Sequence, residues 1–231
     1  MNNIIFNKQT KWIAHRGLSY KYPENSIPAF ENAAMLPFYG IETDIHILKD
    51  RQIVTHHDDY ILVNDDTKYY LKDHDYETLN KLIMDKTGEK LPTLKEYLLI
   101  CKKYNTVPVI EIKPLLNFGD VKYVIEYIKN YISLKEIIII TFHLDNLIDI
   151  YNIDKTIKGQ YLISKIDDEL IDKALKYGFD FDIYHAIMNA ELVSKIRKHD
   201  RLINCWTLNN EQIVKGSLNF KVDFITTDGF D

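Results

Sequence analysis

The chain has 231 residues, of which 46% are hydrophobic and 27% charged, and 29 basic against 34 acidic side chains give a formal net charge of -5. This hydrophobic content supports a packed core and argues against intrinsic disorder, while the acidic balance argues against nucleic acid as a partner. Apolar runs such as residues 137–140 are far too short for a transmembrane segment, and the N-terminal residues show no signal-peptide pattern. We therefore expect a soluble, cytoplasmic protein, and the sequence leaves its oligomeric state open.

Short apolar runs alternate with amphipathic stretches along almost the whole chain. The runs predict eight strands, at residues 12–14, 40–45, 107–112, 137–142, 161–163, 181–184, 202–206 and 224–226. The amphipathic stretches predict helices at residues 27–35, 94–104, 121–131, 144–151, 169–177, 191–199 and 212–217. This alternation favours a closed (β/α)8 TIM barrel over an open doubly wound sheet, since no GxGxxG motif follows the first strand.

One stretch, residues 62–90, interrupts the alternation. It is polar and rich in Asp, Lys and Tyr, and it predicts a single short helix at residues 76–83. We interpret it as an insertion that packs over one end of the barrel. The whole chain, residues 1–231, is then expected to form one domain.

Ionisable residues gather where the predicted strands end. They are His15 and Arg16 after the first strand, Glu42 and Asp44 on the second, Glu111 and Lys113 on the third, and Asp228 after the eighth. The C-terminal strand ends of a barrel form one rim, which is where active sites are built. Glu42 and Asp44 are two residues apart on one strand, and so are Glu111 and Lys113 on another. Side chains at this spacing point to the same side of their strand.

Residues 45–48 and 52–55 predict a hairpin that extends the second strand. With Asp50 and Arg51 as a two-residue turn, the register places His57 opposite Asp44. The hairpin is therefore expected to return His57 to the carboxylates of the second strand.

Three carboxylates in one cleft, those of Glu42, Asp44 and Glu111, would repel one another unless they take up protons or hold a cation. Carboxylate oxygens suit hard cations, so we expect one divalent cation, Mg²⁺ or Ca²⁺. Arg16 and Lys113 add positive charge beside it, which suits a phosphate group.

Two histidines complete the predicted chemistry. His15 and His57 can donate and accept protons near neutral pH, which suggests phosphodiester cleavage with one acid and one base. Each residue taken alone also has a structural interpretation: a histidine that only satisfies a hydrogen bond, a solvated Glu-x-Asp pair, or a simple ion pair between Glu111 and Lys113. Their predicted convergence on one rim favours a functional site.

Short motifs also follow one another along the chain in a recognisable order. They are His15-Arg16-Gly17, Pro23-Glu24-Asn25-Ser26 with Ala29-Phe30, Glu42-Thr43-Asp44, His57-Asp58, Leu91-Pro92-Thr93-Leu94-Lys95-Glu96, Ile110-Glu111-Ile112-Lys113, Trp206-Thr207-Leu208-Asn209 and Asp223-Phe224-Ile225-Thr226-Thr227-Asp228. In this order, and over residues 12–228, the chain resembles the glycerophosphodiester phosphodiesterases.

The resemblance implies a TIM barrel that hydrolyses small glycerophosphodiesters to glycerol 3-phosphate and an alcohol. By position it implies that Glu42, Asp44 and Glu111 are metal ligands and that His15 and His57 are the acid–base pair. Arg16 and Lys113 would contact the phosphate, and Trp206 would line the substrate pocket. It also implies that Glu24 and Asn25 shape the loop after the first strand.

Two other functions remain open from the sequence. One is a related phosphodiesterase of the phosphoinositide-phospholipase or sphingomyelinase D type, which would act on lipid. The other is a catalytically silent barrel that binds a phosphodiester or a partner protein, which predicts the loss of at least one of the residues above. None is missing. The sequence does not select the alcohol, the cation, the nucleophile, or which histidine is the acid.

Overall fold

The computed structural model describes residues 10–63 and 67–229. Its strands are β1 (Lys11–Ala14), β2 (Gly40–Ile47), β3 (Ile53–Thr55), β4 (Tyr60–Val63), β5 (Thr67–Tyr70), β6 (Val107–Ile112), β7 (Ile138–Thr141), β8 (Lys158–Ile163), β9 (Asp180–Tyr184), β10 (Ile203–Trp206) and β11 (Phe224–Thr227). Its α-helices are α1 (Ile27–Ala34), α2 (Tyr76–Thr87), α3 (Leu94–Tyr104), α4 (Phe118–Lys129), α5 (Leu144–Ile153), α6 (Asp168–Tyr177), α7 (Ala190–Arg197) and α8 (Glu211–Asn219).

Eight of these strands form a closed parallel barrel. Its order is β1-β2-β6-β7-β8-β9-β10-β11, and β11 pairs back onto β1. Each of the eight coincides with a strand predicted from an apolar run, and helices connect them. The predicted (β/α)8 TIM barrel is confirmed.

The helices begin and end at residues whose side chains suit those positions. Ser26 caps α1 by accepting a hydrogen bond from the N–H of Ala29. Thr93 and Glu96 form a reciprocal capping box at the start of α3, so that two otherwise unpaired N–H groups are satisfied. Gly178 ends α6 in the left-handed conformation, which glycine adopts without steric cost. These caps fix where α1 and α3 begin and where α6 ends.

The segment between β3 and α3 holds the β4–β5 hairpin and α2. The helix begins at Tyr76 as predicted and runs further, to Thr87, whereas the hairpin was not predicted. A small apolar cluster joins this segment to the β2–β3 hairpin, through Leu48, Val54, Ile61, Leu71, Leu79 and Leu91. Residues 64–66 of the expected insertion, and the N-terminal residues 1–9 on which the signal-peptide prediction rests, lie outside the described residues.

The barrel interior is apolar toward the N-terminal ends of its strands. Six buried side chains from five strands form a cluster there: Ile13, Val109, Ile138, Ile140, Leu162 and Phe224. Polar side chains follow further along the same strands, so the site lies at the C-terminal rim. None of the described helices has the length and apolar character that a membrane crossing requires.

Candidate active site

Strands β2 and β6 bring three carboxylates together. Asp44 pairs with Glu111 in the register of the two strands, and Glu42 lies two residues before Asp44 on the same face. All three residues are buried, at 2%, 1% and 8% exposure for Glu42, Asp44 and Glu111. One oxygen from each carboxylate lies within 4.8 Å of the other two. This is the arrangement that the spacing of these residues predicted.

The three carboxylates cannot all be ionised comfortably. Burial, together with the charges of Asp44 and Glu111, raises the pKa of Glu42 well above its ordinary value. Burial and the neighbouring Asp44 raise the pKa of Glu111 to about 7. Among the described residues Glu42 Oε1 has no hydrogen-bond partner, and Asp44 Oδ1 and Glu111 Oε1 have only the ammonium group of Lys113 beside them. A divalent cation would supply both the missing charge and the missing contacts, so the three residues fit a metal site.

Two cations face this cluster. The Nζ atom of Lys113 lies 3.1 Å from Glu111 Oε1 and 3.4 Å from Asp44 Oδ1. The Nε atom of Arg16 lies 3.3 Å from Asp44 Oδ2, and its Nη1 donates a hydrogen bond of 2.8 Å to Glu24. Burial alone would raise the pKa of Asp44, but Lys113 and Arg16 outweigh it and lower that pKa below the usual range. Asp44 is therefore the member of the cluster that stays ionised.

The loop after β1 holds Asp44 and Arg16 in place. The side-chain amide of Asn25 donates a hydrogen bond of 2.8 Å to Asp44 Oδ2, and its carbonyl oxygen accepts one of 2.7 Å from Thr43. The backbone N–H of Arg16 donates to Glu42 Oε2 at 2.8 Å. Asn25 has a φ of 54°, a left-handed conformation that asparagine tolerates better than most residues. The resemblance placed Asn25 in this loop, but its direct bond to Asp44 was not predicted.

A glycine lets this loop turn close to α1. Gly17 has a φ of 79°, and a Cβ atom placed on it would lie only 2.6 Å from the backbone carbon of Ala29. No residue with a side chain fits there without moving the helix. Gly17 thus fixes the position of the two residues before it, which enter the site.

The structure corrects the predicted register of the β2–β3 hairpin. Ile45 pairs with Thr55, which shifts the pairing by one residue from the prediction. The loop contains three residues, 49–51, instead of two, and Arg51 adopts a left-handed φ of 69°. A left-handed residue commonly closes a three-residue hairpin loop, whereas the prediction assumed a two-residue turn.

His57 reaches the site in spite of this shift. The residue opposite Asp44 is His56, whose backbone N–H donates to the Asp44 carbonyl oxygen at 3.0 Å. Strand β3 ends at Thr55, so the strand geometry no longer fixes the side of the next residues, and the side chain of His57 lines the cavity. Its Nδ1 lies 2.8 Å from Asp58 Oδ1.

His15 is held in a similar way in the loop after β1, the barrel strand next to β2. Its Nδ1 lies 2.6 Å from Asp228 Oδ1, and its Nε2 lies 4.0 Å from Glu42 Oε2. The hydroxyl of Ser19 donates to Asp228 Oδ1 at 3.1 Å, and the Asn209 amide donates to the other oxygen. Burial acts to raise the pKa of Asp228, but the contact with His15 outweighs it and lowers that pKa. Each histidine thus has Nδ1 beside a carboxylate, and both side chains line the cavity.

A cavity of about 270 Å³ lies between these groups. Seven of the eight predicted site residues line it, namely His15, Arg16, Glu42, His57, Glu111, Lys113 and Trp206. The eighth, Asp44, lies behind Lys113 and Arg16, at the distances given above. The remaining wall of the cavity is mainly apolar and includes Phe142, whose ring centre is 5.8 Å from that of Trp206. The predicted residues therefore converge on one cavity.

One residue of this cavity was not predicted. Asp182 of β9 is 1% exposed and lines the cavity, and its Oδ1 has no hydrogen-bond partner among the described residues. Burial and the charge of Glu111 raise its pKa well above the ordinary value. The signal was present in the sequence, because Asp182 lies between Phe181 and Ile183 in a strand that was otherwise expected to be apolar.

Comparisons with known proteins agree with this site. The sequence model of the glycerophosphoryl diester phosphodiesterase family matches residues 15–231. A glycerophosphodiester phosphodiesterase from Bacillus altitudinis is 28% identical over 231 residues, covering 95% of this chain and 94% of that protein. A glycerophosphodiester phosphodiesterase structure from Parabacteroides distasonis is 26% identical with a TM-score of 0.81, covering 95% of this chain and 93% of the other.

The fold is also that of a phosphodiesterase from Oleispira antarctica, solved in complex with the product sn-glycerol-3-phosphate. That structure has a TM-score of 0.86 at 21% identity and covers 95% of this chain and 93% of its own. The match to the family extends over almost the whole chain and includes every motif named above. The chain is a phosphoric diester hydrolase and belongs to the glycerophosphoryl diester phosphodiesterase family.

Proposed function

We propose that this protein hydrolyses glycerophosphodiesters to glycerol 3-phosphate and an alcohol, and that it needs one divalent cation, Mg²⁺ or Ca²⁺. The observation that carries the proposal is the cluster of three buried carboxylates at the cavity, which bring one oxygen each within 4.8 Å of the others and have too few partners among the described residues to satisfy them. The product found in the Oleispira antarctica structure supports the substrate class. The proposal treats residues 1–231 as one functional domain, and the cytoplasmic location stays a prediction.

Glu42, Asp44 and Glu111 would hold the cation. Their donor set is entirely oxygen, which suits Mg²⁺ or Ca²⁺ rather than a softer metal. A bound cation would neutralise the phosphate and draw electron density from its oxygens. Asn25 would keep the Asp44 carboxylate oriented through its hydrogen bond of 2.8 Å.

Arg16 and Lys113 would bind the phosphate oxygens. Both side chains are partly buried and lie on the same side of the cavity as the carboxylates, so their charge acts on a site from which most water is excluded. Trp206 would form part of the opposite, apolar wall. The phosphate would then lie between the two cationic side chains, with the two histidines on either side of it.

His15 and His57 would transfer the protons. An alkyl diester has a poor leaving group, so the departing oxygen must gain a proton while the nucleophile loses one. Asp228 and Asp58 each bind Nδ1 of one histidine, which fixes the ring and leaves Nε2 to exchange a proton in the cavity. The two histidines come from different elements, and this geometry suits one acid and one base.

The first experiment tests the reaction and its metal requirement. Release of glycerol 3-phosphate from glycerophosphocholine and glycerophosphoethanolamine is measured in EDTA and after addition of Mg²⁺ or Ca²⁺. We expect turnover only with a cation. Full turnover in excess EDTA would refute the metal requirement, and cleavage of phospholipids in preference to these diesters would favour the phospholipase-type alternative. Binding of the diester without turnover would favour the silent barrel.

The second experiment tests the histidines. His15→Ala and His57→Ala should each lower kcat by about 10²–10⁴-fold, as the loss of a general acid or base does. His143→Ala is the matched control, because His143 follows a barrel strand at the same rim but does not line the cavity. Bis(p-nitrophenyl) phosphate, which has a good leaving group, should recover activity in the variant that lacks the acid. Near-normal turnover of the natural diesters by either variant would refute the two-histidine mechanism.

A further inference from the structure

The side chain of Asp182 has no assigned role in the mechanism above. It lies on β9, across the barrel from the carboxylates of β2, and its register partners are Leu162 of β8 and Asn204 of β10. Leu162 and Ile140, which also line the cavity, are apolar, so Asp182 is a polar group on a mainly apolar part of the wall. At 1% exposure it has almost no contact with bulk water.

The position of Asp182 is fixed by its surroundings. Its backbone oxygen accepts a hydrogen bond of 3.3 Å from Nε1 of Trp206, which ties the strand to the aromatic wall of the cavity. Tyr184, two residues further on the same strand, places its ring centre 5.2 Å from that of Trp206. The Asp182 carboxyl group is therefore held at the cavity surface by a rigid strand. The side chain of Asn204 on the neighbouring strand interacts with this carboxyl group, but its Oδ1 has no hydrogen-bond partner among the described residues.

A buried carboxyl oxygen without a partner is unfavourable unless a ligand supplies one. We propose that Asp182 hydrogen-bonds the terminal hydroxyl of the substrate's glycerol and so selects glycerophosphodiesters from other phosphodiesters. The inference rests on the proposed function and extends it to a residue that determines specificity. A hydroxyl can both donate and accept, so it bonds a carboxyl group in either protonation state.

The shape and charge of the cavity favour glycerol over the head group as the buried part. Glycerol is small and common to all substrates of this class, whereas the released alcohol differs in size between them, so the enclosed end suits glycerol. When Glu42, Asp44 and Glu111 hold the proposed cation, their negative charge is largely neutralised. The charges of Arg16 and Lys113, which line the same small cavity, would then disfavour a cationic head group such as choline or ethanolamine inside it. The head group would then extend toward the open rim.

Gln160 of β8 provides a matched control. It is also 1% exposed, and its Oε1 also lacks a hydrogen-bond partner among the described residues. It precedes Leu162 by two residues on the same strand, so it lies one layer deeper in the barrel, and it does not line the cavity. A substitution there removes a buried polar group of the barrel without touching the proposed ligand.

The experiment compares Asp182→Leu, Asp182→Asn and Gln160→Leu on three substrates. These are glycerophosphocholine, its analogue lacking the terminal glycerol hydroxyl, and bis(p-nitrophenyl) phosphate. The wild-type enzyme should prefer glycerophosphocholine to the deoxy analogue by about 10- to 100-fold in kcat/KM, the effect of one hydrogen bond to a carboxyl group. Asp182→Leu should lose that preference, because its activity on glycerophosphocholine falls. Asp182→Asn should keep most of the preference, and Gln160→Leu should keep all of it.

Folding and function are separated by the third substrate. Bis(p-nitrophenyl) phosphate has no glycerol hydroxyl, so it should respond far less to Asp182→Leu than glycerophosphocholine does, and a cooperative thermal transition should show that the variant is folded. An equal loss on all three substrates would overturn the inference, as would a wild-type enzyme that does not distinguish the deoxy analogue.

A charged head group as the ligand would give a different result. Asp182→Asn would then impair glycerophosphocholine but spare glycerophosphoglycerol, and this result would also overturn the inference. Failure of the proposed function is distinguishable, because the wild-type enzyme would then release no glycerol 3-phosphate from any of these diesters.

Discussion

The carboxylate cluster predicts an unusual dependence of stability on pH. In the metal-free protein the pKa of Glu111 is about 7, against an ordinary value of 4.5. Between pH 4.5 and about 7, the carboxyl group of Glu111 therefore keeps a proton in the folded state that it has released in the unfolded state. A group with a raised pKa makes the protein more stable at low pH, and this stabilisation is lost as the pH rises from about 4.5 through 7. Glu42 acts in the same direction, because its pKa is also raised.

The magnitude follows from the size of the shift. Each pH unit between the two pKa values of Glu111 corresponds to about 1.4 kcal/mol, so the free energy of unfolding should fall by up to about 3 kcal/mol between pH 5 and pH 8. The comparison starts at pH 5 because two other carboxylates act in the opposite direction in more acidic solution. Asp44 and Asp228 have lowered pKa values, so they stabilise the fold above their ordinary pKa, and this stabilisation is lost as the pH falls below it. The free energy of unfolding of a typical protein is only about 5–15 kcal/mol, so a loss of this size is measurable.

Urea unfolding in EDTA at pH 5 and pH 8 measures this effect directly. Mg²⁺ or Ca²⁺ should restore stability, and more strongly at pH 8, because a cation competes with protons for the same carboxylates. At a hundred times the dissociation constant the gain is about 2.7 kcal/mol. Glu111→Gln is the control: it should flatten the pH dependence and remove most of the stabilisation by cation. A metal-free wild-type protein that is as stable at pH 8 as at pH 5 would refute the reasoning.

Two further predictions concern the loop after β1. Asn25→Gly should lower the free energy of unfolding by about 2–4 kcal/mol, because it removes the hydrogen bonds to Asp44 and Thr43. Asn25→Ala should lower it by about 1 kcal/mol more than Asn25→Gly does, because alanine tolerates the left-handed φ poorly. Equal urea midpoints for Asn25→Gly and the wild type would contradict this. Gly17→Ala should cost at least about 3 kcal/mol and lower kcat, whereas Gly88→Ala, at a similar φ but with open space around it, should cost only about 1 kcal/mol in the same assay.

The barrel itself could be predicted because each strand carries a strong local signal. Runs such as residues 137–142 are apolar on both faces, which is typical of a parallel strand covered by helices. Once the strands were placed, the rim rule located the site, and the i, i+2 spacing of Glu42 and Asp44 fixed which way their side chains point. Neither step needed a detailed tertiary contact.

The missed features all depend on loop geometry or on contacts between distant strands. The hairpin register depends on whether the loop has two residues or the three residues 49–51. The left-handed conformation of Arg51 produces the three-residue loop, and an arginine gives no strong sequence signal for that conformation. The bond from Asn25 to Asp44 depends on a loop folding back on β2. Asp182 was overlooked because one acidic residue in an apolar strand becomes meaningful only when the barrel brings it to the same cavity as Glu111.

The buried polar groups that lack partners are themselves concentrated at the site. Arg16, Glu42, Asp44, Glu111 and Asp182 each have a buried side-chain atom without a hydrogen-bond partner among the described residues, and all five line or adjoin one cavity. In a structure shaped only by stability such groups would be paired or replaced by apolar residues. Where such groups line a cavity, they mark positions at which a ligand completes the bonding, whereas Gln160 lies away from the cavity. Within the described residues, these atoms of Arg16, Asp44 and Glu111 have only ion-pair contacts, through Lys113 and between Arg16 and Asp44. A cation for the three carboxylates, a phosphate for the guanidinium group and a glycerol hydroxyl for Asp182 would together complete the bonding of this set, so one bound substrate with its metal accounts for all five residues.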